Sequence, residues 1–305
     1  MSVVAAVVHY ADREATSACL ASLAAGTVVP ETVVVIDNQG DVDQDVEAGW
    51  RASFASTADT TLEVLRPGTN LGYAGAGAEG AQRALAAGAD WFWLVNNDVV
   101  VQRTCLAELL DAGGSHPRAG LLTPLIVESA GGIWFAGGTV HWRTLAVHHQ
   151  TQAPASDAPA PTGLVTGCAV LARAAMMREC GLPDASLFMY FEDVEWMWRQ
   201  ARGGWSALLV PRAVVRHDVE RCGRRRVFSP AAVYYMTRNR LVLGRRLGHR
   251  WASAIEALSW AVRQTAKGPR VKMTRRLALA TLAGVADGLR GRTGPMAPGL
   301  QRRLT

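Results

Sequence analysis

Over the first hundred residues, apolar positions come in short unbroken runs, with polar positions gathered just after them. Residues 3–8 (VVAAVV) form such a run, the pattern of a strand buried on both faces. Residues 14–25 place Ala and Leu at helical spacing, and residues 32–36 form a second apolar run that ends in the polar turn Asp37-Asn38-Gln39-Gly40. A short strand is predicted over 62–65, an Ala-rich helix over 75–87, and a further strand over 91–95 that ends at Asn96-Asn97-Asp98. Strands alternating with helices predict a mostly parallel sheet, and ligands of such sheets sit beyond the carboxyl ends of the strands. Three strand ends deliver polar residues there: His9-Tyr10-Ala11-Asp12, Asp37-Asn38 and Asn96-Asn97-Asp98.

The second half has a different rhythm. Residues 151–162 are rich in Pro and Ala and read as a surface loop or linker. The pattern then predicts a strand over 164–171, a helix over Ala174–Cys180, and a helix over Glu192–Arg202 opened by acids that suit its N-terminal dipole. Strands follow over 206–210 and 213–216, with His217 at the end of the second. Helical spacing returns over 231–247, 250–267 and 273–290, broken near Gly248 and at Gly268-Pro269.

Composition changes this picture mainly through charge. The chain has 305 residues, 49% hydrophobic and 19% charged, enough for a substantial core. Its net charge of +6 is uneven: residues 241–305 hold 13 Lys+Arg against Glu256 and Asp287 alone, whereas residues 1–240 hold 19 against 24 acids. An acidic body and a basic tail are therefore expected, not a uniformly basic nucleic-acid binder. Cys19, Cys105, Cys168, Cys180 and Cys222 are odd in number and form no CxxC pair, which argues against a disulfide framework or zinc knot. With no signal-peptide pattern and no long uncharged apolar run, a cytoplasmic protein is expected.

Candidate chemistry gathers at two places. Asn96-x-Asp98 ends a strand and points two hard oxygen donors to one side, a set suited to Mg²⁺ or Mn²⁺ on a diphosphate; an ordinary turn is the plainer explanation of such a motif alone. Glu192, Asp193 and Glu195 crowd into four residues among Tyr190, Phe191, Trp196 and Trp198. Apolar walls raise carboxylate pKa values and so suit a general base, while Glu195 and Arg199 have the spacing of a structural helix pair. The tryptophans serve either as core or as a stacking platform for a sugar. His217 closes its strand where a further metal ligand would come from, and His148-His149 read as surface residues. Gly75-x-Gly77-x-x-Gly80 matches a dinucleotide fingerprint but does not follow the first strand, so it reads as a decoy.

In this order the stretches VVVIDNQG, TNLGYAGAGAEGA, WFWLVNNDV, VTGCAVLARAAM, FMYFEDVEWMWR, VVRH and YYMTRNRLVLGRR resemble family 2 inverting glycosyltransferases, especially the rhamnosyl- and galactofuranosyltransferase-like branch. The resemblance implies a GT-A fold: an α/β catalytic domain over 1–240, with a nucleotide-sugar half (1–125) and an acceptor half (160–240), followed by a basic helical region over 241–305. It implies that a UDP- or dTDP-sugar lies against Tyr10, Asp37, Asn38, Asn70, Gly72 and Asn97, with Asp37 reading the nucleobase. It puts Mn²⁺ or Mg²⁺ on Asp98, Asn96 and His217, the base at Asp193 with Glu192 as alternative, and Gly167, Trp196 and Arg238 on the acceptor side. The role of Arg238-Asn239 is left open. The sequence departs from the family pattern after Gly181, at Glu195-Trp196 and after His217, all on the acceptor side.

Two further function classes stay open: a sugar-phosphate nucleotidyltransferase and a non-catalytic nucleotide-sugar-binding module. The basic tail places Trp251, Ile255, Leu258 and Val262 at helical spacing, and Leu277, Leu279, Leu282, Val285 and Leu289 on a second helix. Packing of these faces on the catalytic domain or on a second subunit is the favoured expectation; peripheral contact with the inner face of a membrane is the other.

Overall fold

The computed structural model describes residues 1–57, 60–129, 131–217, 228–266 and 271–304, with the side chains of 271 and 272 left aside. Cys222, Lys267, the Gly268-Pro269 break and the unusual stretch after His217 lie outside these residues. The first half runs β1 (Val3–His9), α1 (Arg13–Ala24), β2 (Thr32–Asp37), α2 (Gln44–Ala52), β3 (Thr61–Leu65), α3 (Gly72–Ala86), β4 (Trp91–Asn96), β5 (Val99–Val101) and α4 (Cys105–Ser115). Then come β6 (Ala119–Glu128), β7 (Ile133–Phe135), β8 (Gly138–His141), β9 (Ala146–His149), β10 (Ala160–Pro161), β11 (Ala169–Arg173), α5 (Ala174–Cys180), α6 (Glu192–Arg202) and β12 (Ser206–His217). The chain ends in α7 (Pro230–Arg246), α8 (Arg250–Ala266), α9 (Val271–Leu289) and α10 (Pro298–Leu304).

The main sheet has the order β10-β12-β6-β11-β4-β1-β2-β3, with β5 beside β12 and β7 beside β6. Strands β3, β2, β1 and β4 are parallel; β11 enters antiparallel between β4 and β6. Because strand side chains alternate, β1 supplies Val3, Ala5 and Val7 to one core and Val4, Ala6 and Val8 to the other. The first core takes α1 and α4, the second takes α3, α5 and α6. The glycine run lies inside α3, where a Cβ on Gly80 would come 2.5 Å from that of Ala6 on β1. Those glycines let a helix lie close to a sheet.

The α/β expectation holds, with corrections. The strand expected over 164–171 begins only at Ala169, because the chain turns at Gly167-Cys168, where Cys168 O accepts from Asn96 N (2.9 Å). The two strands expected over 206–216 are one, β12, whose register against β6 slips between Val210 and Val214. Helices α2 and α4, strands β5 and β6, and the hairpin β8–β9, which carries exposed His148 and His149, are additions.

The tail follows the favoured expectation at Leu277 of α9, which is buried, but not along α8. Helix α8 does not bury its large apolar residues; it buries Ser253, Ala257, Ala261 and Gln264. The reason is close approach: a Cβ on Gly244 of α7 would lie 1.8 Å from Ser253 Oγ, so only a seam of small residues fits there. A third core of Val233, Tyr234, Tyr235, Ala261, Leu277, Ala280, Met296 and Leu304 joins α7–α10, and Phe188, Met189 and Tyr190 pack on it.

Candidate active site

At the carboxyl ends of β1 and β2, a cleft of about 440 Å³ is lined by Tyr10, Asp37, Asn38, Gly40, Arg66 and Asn70. Buried Asp37 shapes its floor: one carboxylate oxygen accepts from the backbone of Gly40 (2.7 Å) and Asp41 (3.3 Å), the other from Val42 (3.1 Å). Asn38 bridges to the next loop, accepting from Leu71 N (2.7 Å) and donating to Gly72 O (3.2 Å), while Asn70 accepts from Gly72 N (2.8 Å). Tyr10, Asp37, Asn38 and Asn70 are thus brought together as expected, with Gly72 behind them. Asn97 is not among the lining residues: its amide donates to Thr16 Oγ1 (3.0 Å) and Asp12 O (3.4 Å) on helix α1. Arg66, which the sequence reading did not single out, lines the cleft and is held by Glu47 at 2.5 Å.

The second group lies where β4 stops. Antiparallel pairing of β5 with β12 sets His217 opposite Val99, so the preceding Asp98 meets the end of β12. His217 Nε2 is 3.1 Å from Asp98 Oδ2, and its ring rests edge-on against Trp134 at 5.1 Å. His217 Nδ1 is buried with no hydrogen-bond partner among the described residues. A carboxylate and an imidazole that converge at a strand end, with half-buried Asn96 nearby in the chain, form a donor set that fits Mg²⁺ or Mn²⁺.

A second set, His9, Asp37 and Asp41, offers ligand atoms all within 4.8 Å of one another and could also hold an ion. Its atoms already have partners: His9 Nδ1 meets Thr16 (2.7 Å), His9 Nε2 meets Asp41 (2.9 Å), and Asp37 is taken up by its loop. A cation at either place would replace an existing contact, His9–Asp41 at one and His217–Asp98 at the other.

The third group opens helix α6. Phe188, Tyr190 and Phe191 all have positive φ (66°, 67° and 71°), a region bulky side chains enter only under constraint. The constraint comes from α7. Asn239, fully buried, donates its amide to the carbonyls of Leu187 (2.9 Å), Met189 (2.9 Å) and Tyr190 (2.7 Å). Arg238, also fully buried, donates to Asn239 Oδ1 (2.8 Å), Leu187 O (2.8 Å) and Gly294 O (2.5 Å). Arg238 is therefore a strut inside the protein and does not face an acceptor, and the Arg238-Asn239 pair acquires a role the sequence did not reveal. Trp196 is likewise corrected: it is core, with its indole N–H on Gly181 O (2.9 Å).

The clamped loop presents Glu192 and Asp193. Burial, and then the charge of Asp193, push the Glu192 carboxyl up to about 8, and its Oε2 is buried without a hydrogen-bond partner among the described residues. Asp193 is raised too, by burial, but the backbone N–H groups of Val194 and Gly167 hold it back, and it is half-exposed. Asp193 is therefore the more accessible carboxylate of the pair. Glu195 makes the expected ion pair with Arg199 (2.7 Å).

Tyr73 links these groups and was missed by the sequence reading, which quoted it only within a longer stretch. Its buried hydroxyl donates to Gly167 O. Its pKa is raised well above the ordinary value by burial first, then by the charges of Cys168, Glu192, Asp98 and Asp193. Glu192, Asp193 and Asp98 thus act on one phenol.

Residues 2–277 match the family described as glycosyltransferase like family 2. The chain is 30% identical over 233 residues to an N-acetylglucosaminyl-diphospho-decaprenol L-rhamnosyltransferase of Mycobacterium tuberculosis, covering 67% of this chain and 72% of the relative. It is 33% identical over 208 residues to galactofuranosyltransferase GlfT1 of the same organism, covering 67% and 66%. Among solved structures it is similar in fold to GalNAc-T7 crystallised with UDP, GalNAc and Mn²⁺ (TM-score 0.62, 15% identity, 95% of this chain and 56% of that one). It is also similar to residues 1–349 of S. aureus TarS (TM-score 0.58, 14% identity, 94% and 81%). With its cleft at the strand ends, its mostly parallel sheet and its helical C-terminal region, the chain belongs to glycosyltransferase family 2 and is a glycosyltransferase of GT-A fold.

Proposed function

We propose that the protein moves a hexosyl group from a UDP- or dTDP-sugar to a hydroxyl of a glycan or lipid-linked acceptor, with inversion at the anomeric carbon. The observation that carries this reading is the meeting of Tyr73, Glu192 and Asp193 at Gly167, next to Cys168, whose carbonyl accepts from Asn96 just ahead of the Asp98–His217 pair. The names of the mycobacterial relatives, one acting on a diphospho-decaprenol sugar, support a lipid-linked acceptor.

Asp193 takes the proton of the acceptor hydroxyl, the oxygen attacks the anomeric carbon, and the bond to the diphosphate oxygen breaks in the same displacement. Glu192, neutral at neutral pH, keeps a second negative charge away from the attacking oxygen. Tyr10, Asn70 and the Asp37 loop seat the nucleotide in the cleft. Asp98, His217 and Asn96 would hold a divalent cation, whose chemistry is to stabilise negative charge on the departing diphosphate.

Thermal shifts with UDP, dTDP, GDP and their sugars, with and without Mn²⁺, test the donor site. Absence of metal-linked stabilisation by every nucleotide would refute it. Asp193→Asn should keep the nucleotide shift and lose about 10²–10⁴-fold in transfer. Unchanged transfer would remove Asp193 as base, and pyrophosphate release from an NTP and a sugar phosphate would favour a nucleotidyltransferase instead.

A further inference from the structure

Helix α8 turns outward the residues a soluble surface usually hides. Trp251 (71% exposed), Ile255 (72%), Leu258 (52%) and Val262 (55%) are large, apolar and unburied. At 100° per residue these four fall within an arc of about 60°, on the side away from buried Ser253, Ala257, Ala261 and Gln264. Arg250 and Arg263, both exposed, lie about 110° to either side of the stripe's centre, and none of the helix's charged residues falls between them on that side. The Arg250 guanidinium sits over the Trp251 ring at 4.9 Å, joining a cation to an aromatic of the kind that anchors at a headgroup boundary. Helix α9 adds two exposed leucines seven residues apart, Leu282 and Leu289.

The charge of the tail selects the occupant of the stripe. Residues 241–305 carry 13 Lys+Arg and 2 acids, and both acids already have partners: Glu256 with Arg263 (3.1 Å) and Asp287 with Arg292 (3.0 Å). A second copy docking through the same face would oppose two tails that each carry 13 Lys+Arg against 2 acids in sequence, with an exposed Arg250 beside each stripe. An anionic bilayer instead supplies both an apolar phase for the stripe and negative headgroups for its flanks. Among the described residues no helix is long and apolar enough to cross a membrane, so the contact is parallel to the surface. We propose that the outer face of α8 seats this protein on an anionic lipid bilayer, with Trp251, Ile255, Leu258 and Val262 in the headgroup–acyl boundary.

The test is flotation of the full chain with phosphatidylcholine vesicles and with vesicles containing about one third phosphatidylglycerol. The expected result is co-flotation with the anionic vesicles, weaker with the neutral ones and weakened by salt. Ile255→Asp/Leu258→Asp should reduce partitioning by about tenfold or more at an unchanged melting temperature, because both side chains are already in water. Three outcomes overturn the proposal: no binding by the wild type, equal binding to both vesicles, or a variant that binds like the wild type. Stripe-dependent dimerisation in light scattering without vesicle binding would assign the face to a second copy. No donor or acceptor enters the assay, so its outcome is separate from that of the transfer reaction.

Discussion

Changing Asn239 to Asp isolates the clamp that shapes the base-bearing loop. The substitution keeps size, and keeps an acceptor for Arg238 Nε, but removes the amide N–H groups that reach Leu187, Met189 and Tyr190. Leu187 O retains Arg238 Nη2 at 2.8 Å, so the carbonyls of Met189 and Tyr190 bear the loss. Each buried acceptor deprived of a donor costs about 1–3 kcal/mol, giving about 2–6 kcal/mol in all. A stronger Arg238–Asp pair returns part of this, and so does relaxation of Phe188, Tyr190 and Phe191 out of positive φ, so a net loss of about 2–4 kcal/mol is expected. For a chain of this size that is a fall of about 3–6 °C in melting temperature. The sharper effect is on position: a shift of about 1 Å at the start of α6 should cost about 10²-fold in kcat. Melting curves, donor turnover and the nucleotide-induced thermal shift together check this. The nucleotide shift should survive, because the cleft at Tyr10 and Asp37 lies on other elements. An Asn239→Asp protein with wild-type melting and wild-type kcat would refute the reasoning.

Glu192 gives a pH prediction. Its carboxyl is raised from 4.5 to about 8 in the folded protein, so its contribution to stability is complete below about 4.5 and is lost as pH rises toward 8. Urea denaturation across that range should show this decline, and Glu192→Gln should flatten it; an equal slope in both proteins would rule out Glu192 as its source. His217→Ala removes the imidazole facing Asp98 and should weaken Mn²⁺-dependent nucleotide stabilisation by about tenfold or more, measured by titrating the metal in thermal shifts. Gly72→Ala places a Cβ 2.2 Å from Phe188 O at a φ of +71°, so it should destabilise by more than about 1 kcal/mol and impair transfer; an unchanged melting temperature would count against that contact.

What the sequence reveals follows from how each element is buried. Strands β1, β2 and β4 are covered on both faces, so their apolar runs stand out. Helix α2 puts only Val46 and Trp50 against the core, too few to stand out as a stripe, and β6 carries Pro124 in mid-run; both escape notice. Asp98, His217, Glu192 and Asp193 are legible because strand ends and a helix start display them. Arg238 and Asn239 are not, because their partners are main-chain carbonyls fifty residues away, and a carbonyl leaves no mark in a sequence. Trp196 misleads for the opposite reason: an aromatic beside clustered acids looks like a sugar platform, yet it fills the core behind them.

Arg238 joins Leu187, ahead of the base, to Gly294, near the C-terminal end of the tail, and Tyr235 on the same helix stacks on Phe188 and accepts from Met296 N. The basic tail is therefore not an interchangeable module. A chain cut after residue 240, or a chimera carrying a relative's tail, would lose one wall of the loop that aims Asp193. A change in the tail is then felt at the loop that carries Glu192 and Asp193.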